Sequence, residues 1–274
     1  MTKIDGLDAL RSLFGSDEAL IEHILEHTLF FDKEMVRNQA RDIRAWIRTG
    51  QAIPARFTSN ANYFLQHAVK TTTPRFKNKS EAVRFTKYEC DPDGHIDETK
   101  CLFHRETKIR VKIDSDGNYA PKCTILRYTG HAVSWGRRSS VVNYTIAHIW
   151  DKTDNPLFFN SLWNYALLPT HCAFITDKRD DSHELVARVK QLIRAVSWEL
   201  YHPNRLMDWN QDVLTDDEVP AASDRSEAKR LIKEGKVRFL PKNERPQTAD
   251  ELPGEEFRDE EQNDEQSRAV DMDE

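Results

Sequence analysis

The 274-residue chain lacks the short signatures that announce many enzymes: it has no GxGxxG, no P-loop and no GxSxG, and no internal repeat. Nucleotide-binding and hydrolase readings that rest on those motifs are thereby removed. Paired cysteines are missing too. Cys90, Cys101, Cys123 and Cys172 contain no CxxC. No run approaches the length of a membrane span, and Lys3, Asp5 and Asp8 interrupt the start of the chain where a signal peptide needs an apolar stretch. Together these absences predict a cytoplasmic protein with reduced thiols and no membrane association.

What the chain has in quantity is charge. Charged residues make up 31% and hydrophobic ones 38%, with a mean hydropathy of −0.72. That is enough apolar material for one sizeable core or two small ones beneath a large solvated surface. The charge is unevenly placed. Residues 243–274 hold 13 Asp and Glu against 3 Arg, a net of −10, so the remainder of a chain of net −6 carries +4. The tail has too little apolar surface to offset its ordering entropy and is predicted to be disordered.

The first fifty residues read as helices. Ser16 is placed to cap Glu18 to Leu29, with Leu20, Ile21, Ile24, Leu25 and Leu29 as one stripe, and Asp32 to cap Lys33 to Arg48, with Gly50 as the stop. Arg37, Arg41, Arg44 and Arg48 form a row on the second helix, read as a solvated face ahead of a nucleic-acid contact. In residues 68–88, Lys70, Arg75, Lys77, Lys79, Arg84 and Lys87 are interleaved with Phe76, Phe85 and Tyr88, and only Glu81 opposes them. That mixture suits phosphate neutralisation and base stacking. It equally suits a solvated loop whose aromatics pack inward, and both readings stand. Thr107 to Tyr128 reads as a hairpin turning at Asp116-Gly117, with Cys123-Thr124-Ile125-Leu126 as its second arm. Near it, Cys90, His95, Cys101, His104 and Cys123 offer zinc donors. Only Cys101 and His104 have the close spacing of a zinc knuckle, so zinc is set behind other ions.

The richest segment is Val141 to Lys178. A β-branched and aromatic run ends at His148, and a second strand-like run, from Leu162 to Leu168, surrounds Asn164. A polar loop from Asp151 to Asn160 with an Asn155-Pro156 turn joins them. Pro169-Thr170 supplies a strand stop and a helix start. The predicted order is strand, loop, strand, helix.

These residues resemble the HNH, or ββα-metal, endonuclease superfamily, as a divergent member of restriction or anti-phage type. The resemblance implies that His148, at the end of the first strand, deprotonates the attacking water, and that Asn164, sixteen residues later, braces the loop. Family helices bring metal ligands about nine and thirteen residues past the asparagine, here Ala173 and Asp177, and family members commonly place an Asp or His before the histidine, where this chain has Ala147. Ala147 and Ala173 cannot ligate. Asp177, with His171 as the weaker second ligand, is therefore expected to hold Mg²⁺ or Mn²⁺ among waters and a phosphate oxygen. The predicted hairpin would extend the sheet of this motif.

Beyond it, Asp181 or Ser182 is predicted to start a long helix to about His202, closed by Pro203, with its apolar stripe as a core or dimer seam, and a short helix follows near Arg225 to Gly235. The fold class expected is α+β: a helical N-terminal region (1–67), an HNH-like domain with its basic approach segment (68–205), a linker and short helix (206–242), and the acidic tail (243–274). The function expected is metal-dependent hydrolysis of DNA phosphodiester bonds, RNA not being excluded, with a partner subunit or homodimer in view. The alternative is a catalytically silent HNH-like fold that serves as a nucleic-acid or protein binding module in a larger complex.

Overall fold

The computed structural model describes residues 6–56, 88–89, 102–104, 106–114, 118–134, 139–153, 155–177, 183–207 and 214–243. Lys70, Arg75, Lys77, Lys79, Arg84 and Lys87, the thiols Cys90 and Cys101, His95, the Asp116-Gly117 turn and the acidic tail past Asn243 lie outside those residues.

Helix α1 spans Gly6–Phe14, and α2 spans Asp17–His27 behind an extended Ser16 whose hydroxyl accepts from the Ala19 amide at 3.1 Å. This satisfies one of the amides a helix start leaves open. The helix stops short of Leu29, however. Thr28 is extended, and Leu29–Phe30 form a two-residue strand, β1. The stripe could not reveal this, because a buried leucine serves a sheet as well as a helix. Helix α3, Lys33–Arg48, starts at Asp32, whose carboxylate accepts from the Glu34 amide at 2.7 Å, and ends before Gly50 at φ +69°. Of its arginine row, Arg37, Arg41 and Arg48 are exposed and Arg44 is half-buried, in keeping with a solvated face.

Strands β2 (Ile53–Arg56), β3 (Tyr88–Glu89), β4 (Leu102–His104) and β5 (Arg110–Asp114) make one sheet in the order β2-β5-β4-β3. The predicted hairpin is only half present. Its second arm is a helix, α4, Tyr119–Thr129, and the Asp114 carboxylate accepts from the Ala120 amide at 2.8 Å at the start of that helix. An acceptor at a helix start turns the chain into a helix where alternation alone suggested a strand. Nor does β5 extend the sheet of the His148 segment; it pairs with β2 and β4 instead.

The second sheet is built from β6 (Tyr144–His148), β7 (Tyr165–Pro169), β1 and β8 (Arg238–Phe239), in the order β6-β7-β1-β8. Between β6 and β7 lie a four-residue helix, α5 (Pro156–Phe159), and a 3-10 turn at Leu162–Asn164. The segment read as a polar loop is therefore interior at its far end: every residue from 156 to 169 is buried. Helix α6 (Thr170–Asp177) follows β7 directly, then α7 (Glu184–Tyr201) and α8 (Ala222–Lys233). The start of α7 is set by His183, whose Nδ1 accepts from the Leu185 amide at 3.1 Å, and not by Asp181 or Ser182. The chain is thus an α+β protein. Among the described residues no helix is long and apolar enough to cross a membrane.

The main core gathers α2, the β6-β7-β1 sheet, α6, α7 and α8 around Trp163, Tyr165, Tyr201, Phe30 and Phe31. A smaller one joins Ala40 and Ile43 of α3 to Ile53, Ile109 and Leu157. The stripe on α7 is core. Its last residue, Tyr201, closes both polar groups of Phe31 at once: the phenol accepts from the Phe31 amide at 3.1 Å and donates to the Phe31 carbonyl at 2.7 Å. Burial, opposed by the hydrogen bond from the Phe31 amide, raises the phenol pKa well above its ordinary value, so the proton that makes the second bond stays in place. Tyr201→Phe keeps the ring and strands two buried backbone groups, each costing about 1–3 kcal/mol. A clearly lowered urea midpoint with an unchanged m-value is the expected result.

Candidate functional site

His148 and Asn164 face each other across the start of one hairpin. Strands β6 and β7 pair antiparallel from Tyr144↔Pro169 to His148↔Tyr165, and the Ile149 amide continues the ladder to the Asn164 carbonyl at 2.8 Å. The Asn164 side chain is fully buried and makes three bonds. Its Oδ1 accepts from the Trp150 amide at 2.8 Å, while Nδ2 donates to the Trp150 carbonyl at 3.2 Å and to the Phe158 carbonyl at 2.9 Å. One amide therefore ties the exit of β6 to the far side of the loop.

The His148 ring is clamped on two sides. It stacks on Phe159 with centroids 5.4 Å apart and planes within 6°, and meets Tyr165 edge-on at 5.1 Å. Its Nε2 lies 3.4 Å from the Phe159 carbonyl, which also accepts from the Tyr165 hydroxyl. A carbonyl can only accept, so in this contact Nε2 is the donor.

A small cavity beside it is lined by Ala147, His148, Ile149, Leu168, Thr176, Lys190 and Ile193. Lys190 is buried, and its ammonium is 3.4 Å from the Asp151 carboxylate. One turn on, Arg194 donates to the Ile149 carbonyl at 3.1 Å and lies 4.0 Å from Asp151. Both cations were missed in the sequence. The available signal was Lys190 itself, which sits three and four residues from Ile193 and Val186, inside the apolar stripe of α7.

The proposed metal ligands are not brought together. Asp177 is the last residue of α6, six positions after His171. His171 starts the same helix, beyond the Tyr144↔Pro169 end of the hairpin, which four residues of strand, roughly 13 Å, separate from His148. It therefore does not share an ion with that site. Instead its Nε2 lies 3.3 Å from Nε2 of His23 on α2, and with His23 and Cys172 it forms a group whose donor atoms all lie within 4.8 Å of one another. Burial, then the neighbouring His27 and His171, lowers the His23 pKa, and burial pushes the Cys172 thiol up to about 11. The positions where metal ligands would be expected on the family pattern, Ala147 and Ala173, carry methyl groups packed into the main core.

Asn164→Ala deprives two Trp150 groups and the Phe158 carbonyl of their partner, at about 1–3 kcal/mol for each left unpaired. The expected outcome is a loss of several kcal/mol in urea unfolding. An unchanged midpoint would show that water replaces the amide.

No curated protein and no solved structure matches the chain. One family model, described as "Uncharacterised protein PM1201", matches residues 31–265, which takes in α3, the β6-β7-α6 segment and α7. On that match, the chain belongs to the PM1201 family of uncharacterised proteins.

Proposed function

We propose that the chain is an HNH-like endonuclease that hydrolyses DNA phosphodiester bonds, in restriction or phage defence. One observation carries the reading: a strand-loop-strand-helix unit in which a buried asparagine pins the loop and the histidine at the strand end is held against a loop carbonyl. His148 takes a proton from water, the water oxygen attacks phosphorus, and the P–O bond to the leaving oxygen breaks. Asn164 does no chemistry; it holds the backbone that orients the imidazole. Lys190, which lines the same cavity as His148, adds positive charge there, where a phosphodiester gains negative charge as it is attacked.

The donor set fits a divalent ion only sparsely, with Asp177 as the one carboxylate named for it and alanine at both further positions. Mg²⁺ accepts that poverty, since it keeps most of its waters and uses one or two protein oxygens. Bound there, Mg²⁺ or Mn²⁺ would neutralise phosphate charge and help the leaving oxygen. The basic segment at Lys70, Arg75, Lys77, Lys79, Arg84 and Lys87 is proposed to track the DNA backbone.

A second reading is favoured by the buried methyls of Ala147 and Ala173: a catalytically silent fold that binds nucleic acid or a protein partner. Supercoiled plasmid incubated with Mg²⁺, Mn²⁺ or EDTA separates the two. The nuclease reading expects nicking that EDTA stops and that His148→Ala lowers by ~10²–10⁴-fold, with plasmid binding retained. Retained plasmid binding without nicking under any ion would leave the binding module.

A further inference from the structure

The group His23, His171 and Cys172 stands apart from the His148 site and is assigned no part in it. His23 is on the second turn of α2, and His171 and Cys172 open α6, so the three residues join segments 148 positions apart in sequence. His27, one turn after His23, sets its ring 4.5 Å from it at a 52° tilt. Phe14 closes the other side of His23 at 4.6 Å. His171 is exposed, His23 half-buried and Cys172 fully buried, so the group is open to solvent on one face and walled by the core on the other.

The geometry points to a transition-metal site, of the zinc class, in which Nε2 of His23, Nε2 of His171 and Sγ of Cys172 bind one ion that staples α2 to α6. Two nitrogens on a tetrahedral zinc, each ~2.0–2.1 Å from the ion, stand about 3.3 Å apart. The two Nε2 atoms are 3.3 Å apart without any adjustment. One donor atom from each of the three residues lies within 4.8 Å of the others, so side-chain rotation closes the third bond. Two imidazoles and a thiol are borderline-to-soft donors, a set that selects zinc or cobalt over Mg²⁺. Binding is an acid-base step: the ion takes the imidazole lone pairs and the thiolate pair, and the Cys172 proton leaves to solvent. The fourth position is filled by water or by His27.

The competing explanation of the short contact is a hydrogen bond between two neutral imidazoles with no ion between them. Cobalt distinguishes the two, because thiolate ligation gives a near-ultraviolet charge-transfer band and a tetrahedral site gives strong visible bands. The full chain, stripped with chelator, is titrated with Co²⁺ and then with Zn²⁺. Expected are one equivalent of Co²⁺ with both features, and their loss as Zn²⁺ displaces it. His171→Ala, an exposed change that leaves the core intact, should weaken binding at least about tenfold, since even residues that merely support a ligand cost 10–100-fold. Cys172→Ser should remove the charge-transfer band, whereas Cys123→Ser and His148→Ala should leave the spectrum unchanged. Should Cys172→Ser fail to fold, the charge-transfer band of the parent and its weakening in His23→Ala and His171→Ala decide the matter. Titration without a charge-transfer band, or binding unaltered by His171→Ala, would overturn the site. Because His148→Ala serves as a control with intact metal binding, a negative nuclease assay leaves this result untouched.

Discussion

A protein interior has no water to offer the backbone, and between β6 and β7 this chain puts irregular backbone in the interior. Without a ladder to join, its polar groups are met one at a time by side chains. Gln39 on α3 donates to the Asn160 carbonyl and accepts from the Leu162 amide at 3.0 Å. Asn160 in turn donates to the Pro54 carbonyl, Ser161 to Leu157, Tyr165 to Phe159, and Ser197 to Trp163 at 2.6 Å. Asn164 serves Trp150 and Phe158. The two sheets, α3 and α7 all meet at this segment, and they do so through amides and hydroxyls.

The consequence for His148 is rigidity of a specific kind. The Phe159 carbonyl that its Nε2 meets belongs to the same braced segment, so the ring is held by the fold. Opposite it, Lys190 is carried on the longest helix, whose apolar face is locked in the core. Imidazole and cation are thus held by different elements that share one core. The second donor group, at His23, His171 and Cys172, lies at the other end of the hairpin, and α6 runs between the two.

Much of this was legible from residue types. Ser16 and Asp32 announced their helices by oxygen chemistry that depends on a few neighbours only, and the strand-loop-strand pattern put His148 and Asn164 at the loop end of one hairpin, where the β6-β7 ladder places them. Two of the failures share a cause. Leu29 and the loop at Asn160 to Ser161 were read from local pattern, yet each takes its state from a distant partner: Leu167 for Leu29, Gln39 and Pro54 for Asn160. Cys123 to Leu126 failed on a near one, the Asp114 acceptor at the start of α4. Polar residues were assumed to face water. At Asn160 and Ser161 they are buried because the backbone around them needs donors. His171 was placed by counting from Asn164, and counting could not show that His23, far off in sequence, stands beside it.

Strand β1 is only two residues long, yet it lies between β7 and β8, pairing Leu29 with both Leu167 and Arg238. Its neighbours in the sheet are synthesised long after it. A growing chain therefore carries the apolar faces of α1 and α2 unburied until most of the protein has been made, and closure of the sheet waits on contacts of very large sequence separation. Such topologies fold slowly and expose sticky surface while they do so. For this protein the demanding moment is the last one, when the residues around Phe239 arrive and the first-made third of the chain is finally seated.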